Sequence, residues 1–144
     1  MVEIDDGSIG PHEGRELELM LSGSKPLSVF VIENPDPDWT EFPEEQFDEQ
    51  VALGNLLKIE RVKQVAVPAG GVINIRTVYY SLPKEEWRIH AFMFIEGLYE
   101  ELGSGYRPDL EQVTGRLLGY EPADIDFFLR SLRAKGTRFA YICP

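Results

Sequence analysis

The chain holds 144 residues, enough to bury a core as one domain, and its 43% apolar content is ordinary for a globular protein. Acidic residues number 25 against 14 Lys and Arg, a net charge of −11. Such a surface repels phosphate backbones and anionic lipid heads, which argues against direct nucleic-acid or membrane binding and favours a basic protein as partner.

No apolar run approaches the roughly 18 residues that a membrane-spanning helix needs. Met1-Val-Glu-Ile-Asp-Asp lacks the charged and apolar regions of a secretory signal. The one cysteine, Cys143, has no second thiol to pair with in the chain. Together these features point to the cytoplasm.

In chain order, residues 1–14 are polar and carry no period, so they are expected to be loosely ordered. Leu17, Met20 and Leu21 recur at helical spacing, and Gly23 supplies a stop. Leu27 to Ile32 is a nearly continuous apolar run, which predicts a strand buried on both faces and central in its sheet. From Glu33 to Gln50 the sequence ENPDPDWTEFPEEQFDEQ carries eight carboxylates, and no Lys or Arg falls between Lys25 and Lys58. Prolines 35, 37 and 43 make its first half a loop. A helix follows, with Phe47, Val51 and Leu53 inward and its first-turn carboxylates matched to the helix dipole.

Two β-rich arms, near 56–67 and 72–80, flank Pro68-Ala69-Gly70-Gly71 and predict a hairpin. The alternation slips between Ile59 and Val62, where a bulge is expected. In the second arm Ile73, Ile75, Thr77 and Tyr79 share a face. Ser81 and Pro83 open a long helix, 83–102, whose stripe of Trp87, Ala91, Phe94, Ile95, Leu98 and Leu102, widened by Phe92, Met93 and Tyr99, is expected to lie on the sheet with most of the helix covered.

A helical hairpin over 108–118 and 122–135 follows, with Leu110, Val113, Leu117 and Leu118 facing Ile125, Phe128, Leu129 and Leu132. It has the outline of a helix-turn-helix. A recognition helix, however, would place Glu121, Asp124 and Asp126 against bases lying between rows of phosphates, so the hairpin is read as packing, not DNA recognition. A fourth strand is predicted over 137–142. The whole is an α+β domain with a mixed or antiparallel sheet of about four strands, near 27–33, 56–67, 72–80 and 137–142.

The chemistry-bearing motifs are few. His90 follows Glu86 by one helical turn, a spacing that orients an imidazole, but no nucleophile is paired with it in sequence. Asp36-Pro37-Asp38 lacks an EF-hand pattern, two histidines and one cysteine are too few for zinc, and Gly70-Gly71 has no phosphate-loop continuation. Catalytic residues, metal and cofactor are therefore not expected.

The acidic segment is the most informative feature. Asp36, Asp38, Trp39, Glu41, Phe42, Glu44 and Glu45 form a candidate binding surface, because aromatics set among carboxylates can anchor a basic partner. The favoured function is a non-enzymatic interaction or inhibitor module that docks on a basic protein surface. The alternative is a small-ligand binder or enzyme with a pocket at His90, Tyr79 and Arg76. A third arrangement is a homo-oligomer, through the hairpin edge or the Phe127 side of the last helix.

Overall fold

The computed structural model describes residues 14–33, 42–103 and 107–135, with side chains as far as Arg130. The elements are α1 (Glu16–Leu21), β1 (Leu27–Glu33), α2 (Glu44–Ala52), β2 (Leu57–Ala66), β3 (Val72–Ser81), a 3-10 turn (Pro83–Glu85), α3 (Glu86–Leu102), α4 (Pro108–Leu117) and α5 (Pro122–Lys135). The fold is α+β, with three antiparallel strands in the order β1-β3-β2 among the described residues. The strand expected over 137–142 lies outside them. No helix among them is long and apolar enough to cross a membrane.

The strand expectations near 27–33, 56–67 and 72–80 agree with the structure to within a residue at each end. Gly70 and Gly71, both at positive φ, turn the hairpin, and Val67 N–H donates to the Gly71 carbonyl at 3.2 Å. The expected bulge is absent: Ile59, Glu60, Arg61 and Val62 pair in unbroken register with Tyr79, Val78, Thr77 and Arg76. The alternation slips because an arginine occupies an inward position, where Glu96 of α3 receives it at 3.1 Å.

Among the described residues β1 lies at one edge of the sheet and not at its centre, and β3 is bonded on both sides. Its apolar run arises because helices cover both faces of the sheet. Leu27 and Val29 pack toward α3, α4 and α5 beside Tyr79, Ile89 and Phe92. Phe30 and Ile32 pack on the opposite face with Met20, Phe42, Phe47 and Tyr80. Each such large side chain removed from water contributes about 1.5–3 kcal/mol.

In two helices the expected inward face is met in part, by Ile95 and Ala91 in α3 and by Leu110, Leu117 and Leu118 at α4, while other side chains depart from it. α3 turns Ile89, Phe92, Ile95 and Tyr99 to the core. α4 buries Glu111, Thr114 and Gly115 beside Leu117 and leaves Val113 exposed. The cause in α4 is close approach, since a Cβ at Gly115 would stand 2.8 Å from Cγ1 of Ile125 on α5. The end of α4 is capped from two directions. The fully buried Lys25 ammonium donates to the Leu118 carbonyl at 2.7 Å, and Arg88 donates to the carbonyls of Arg116 and Leu117 at 3.0 and 3.2 Å.

Candidate functional site

Each of the four cations on the strands is spent on a covering helix. On the α2 face, Arg76 binds Glu44 through Nη1 at 3.0 Å and through Nη2, and also contacts Glu60. Lys58 lies between Glu44 at 3.2 Å and Asp48 at 2.9 Å. The Arg76 guanidinium beside Glu44 holds its carboxyl below the usual range. On the α3 face, Arg61 pairs with Glu96 and Lys63 with Glu100. With the strand cations occupied by helix carboxylates, Glu33, Glu45, Glu49 and Glu101 face solvent with no ion pair among the described residues.

The residues singled out from sequence are placed as follows. Asp36, Asp38, Trp39 and Glu41 lie outside the described residues. Phe42 is not an exposed anchor: it is buried and stacked on Phe30, ring centroids 4.0 Å apart. Glu44 is tied inward by Arg76 and Lys58, whereas Glu45 is exposed. His90, Tyr79 and Arg76 form no common pocket. Side chains alternate along β3, so Tyr79 reaches the α3 layer and Arg76 the α2 layer. His90 stands on the exposed side of α3, its ring 3.2 Å from Glu86.

What the sequence pattern misassigns is the outer side of α3. Trp87, Phe94 and Leu102, expected on the sheet, are 55%, 68% and 53% exposed. At 100° per residue they line one side of the helix with Leu98, roughly 100–120° round from the buried Phe92 and Tyr99, while Ala91 packs against the core. A helix apolar on both sides gives two candidate inward faces, and periodicity alone does not choose between them. The discriminating signal is Glu96, whose carboxyl marks the inward side only once Arg61 and Tyr79 are known to face it.

Two further features lie on the α3 side of the sheet. One is a cleft of about 540 Å³ between the sheet and the C-terminal half of α3, lined by Val31, Ile75, Thr77, Glu96 and Tyr99 among others. The other is Glu111, fully buried, whose Oε2 accepts the Tyr99 hydroxyl at 2.6 Å. Its Oε1 has no hydrogen-bond partner among the described residues, and burial pushes the carboxyl up to about 8, against the pull of the Tyr99 bond. Among the described residues, no three His, Cys, Asp or Glu side chains gather as a metal-binding group. Comparison with protein-family models, with curated proteins and with solved structures gave no match to this chain.

Proposed function

We propose that the protein is a non-enzymatic interaction or inhibitor module that docks on a basic, partly apolar surface of another protein. The observation that carries this reading is the uncovered line of Trp87, Phe94 and Leu102 on α3. Large apolar side chains aligned in water on one helix mark a contact surface, and tryptophan is the residue type most enriched among interface anchors. The sign of the partner follows from charge. The chain carries −11, its strand cations are paired with helix carboxylates, and further carboxylates remain outward on α2 and near the ends of β1 and α3. Two copies of so acidic a chain repel one another, which favours a basic partner over self-association.

The test is an affinity capture from source lysate at low and at high salt. Its baits are the wild type, a Trp87→Ser/Phe94→Ser variant and a Glu45→Lys/Glu49→Lys variant. The expected result is a basic protein held by wild type, lost with the α3 variant and weakened with the α2 variant, with retention falling as salt rises. Recovery of the same proteins by all three baits, or retention indifferent to salt, overturns the reading.

A further inference from the structure

We propose that the cleft between the sheet and the C-terminal half of α3 binds a small organic cation, a primary amine carried on an apolar body. The site is independent of the outer face of α3. Its volume of about 540 Å³ lies within the range of small-molecule sites, roughly 300–1,000 Å³.

Three hydrogen-bonding groups around the cleft are left unfilled by the fold. Thr77, in the middle of the central strand, is only 9% exposed, and it has no side-chain hydrogen bond among the described residues. Its hydroxyl stands on the cleft wall, where a valine would give the same shape without a hydrogen-bonding group. Glu96 is held by the Tyr79 hydroxyl at 2.6 Å and by Arg61 at 3.1 Å, and both bonds fall on Oε1. Oε2 is therefore an open acceptor among the described residues. Glu33, at the rim, has no ion pair among them.

The charge balance selects the ligand. The lining carries Glu33, Glu96 and Glu100 against Arg61 and Lys63, and Lys63 is matched to Glu100 as Arg61 is to Glu96. One carboxylate is left in excess. Gly103, the C-cap of α3, also lines the cleft, and the Leu102 carbonyl before it is taken by Arg107 at 3.0 Å, so the excess carboxylate alone sets the sign. An ammonium meets these acceptors as a three-donor group, whereas a carboxylate ligand would be repelled. The apolar body rests on Val31, Ile75 and the ring of Tyr99.

The experiment is an NMR titration of the full chain with phenethylamine, and with 3-phenylpropionate as the charge-inverted counterpart. Saturable amide shifts centred on Val31, Ile75, Thr77 and Glu96 are expected from the amine and not from the acid. Thr77→Val, which keeps the side-chain shape, and Glu96→Gln should each weaken the amine about tenfold, as loss of one hydrogen bond to a charged group does. If Glu96→Gln does not fold, Thr77→Val alone decides. Equal binding of the acid, no shifts at these residues with the amine, or unchanged affinity in Thr77→Val overturns the assignment.

Discussion

Tyr79 and Tyr80 are neighbours on the central strand, yet they anchor opposite layers of the molecule. The Tyr79 hydroxyl donates to Glu96 of α3 at 2.6 Å, and the Tyr80 hydroxyl donates to Asp48 of α2 at 2.9 Å. Burial and these carboxylates hold both phenols well above the ordinary tyrosine range. Tyr79→Phe and Tyr80→Phe are each expected to lower stability by about 1–2 kcal/mol. Because the two bonds lie on different faces of the sheet, the double variant should lose close to the sum. Urea denaturation of the three variants checks this, and a strongly non-additive pair would mean that the layers are coupled through β3.

Glu44 and Glu45 are adjacent on α2 and look alike in sequence. Glu44 faces Arg76 and Lys58, while Glu45 faces solvent. Glu44→Ala should destabilise the fold by about 1–3 kcal/mol, because it leaves two partly buried cations without their shared partner. Glu45→Ala should stay within about 0.5 kcal/mol of wild type. The same denaturation measurement separates the two.

The two sides of α3 predict opposite responses. Ile95→Ala opens space in the core and is expected to cost about 2–5 kcal/mol. Phe94→Ser, one residue away, should change stability by less than about 1 kcal/mol, since its ring is already largely in water. Gly97 gives a finer probe, because a Cβ there would meet nothing within 4 Å. Gly97→Ala should therefore stabilise the helix by about 0.5–1 kcal/mol. A large loss in Phe94→Ser would show that the outer side is covered in solution.

Glu111 predicts the pH dependence of stability. The folded chain keeps its proton up to about 8, whereas the unfolded chain releases it near the ordinary value of 4.5. Between those values the unfolded state binds fewer protons, so raising the pH favours unfolding. Glu111→Gln lacks this titration. The midpoint of wild type relative to Glu111→Gln should fall from about pH 5 to about pH 8, by an amount on the order of 1–3 kcal/mol. A constant difference across that window would show that Glu111 is ionised in the folded chain.

Elements and their limits were largely legible in the residue order, because strand and helix periods and turn residues are local properties. Leu27 to Ile32 reads as a strand, Gly70-Gly71 as its later hairpin turn, and Pro108 to Lys135 as paired helices from neighbouring residues alone. The acidic balance is equally a property of composition. What required the assembled molecule is which side of an element faces what. The apolar sector of α3 is wider than the sheet covers, so only contact with the strands selects Phe92 over Phe94 for the core. The carboxylates of Glu44 and Glu45 differ through Lys58 and Arg76, the latter 32 residues beyond Glu44. Position in the sheet is likewise non-local: β1 reads as central because helices shield both its faces, yet among the described residues its hydrogen bonds reach one neighbour. Burial and pairing are relations between segments distant in the chain, and periodicity within a segment carries no information about the partner.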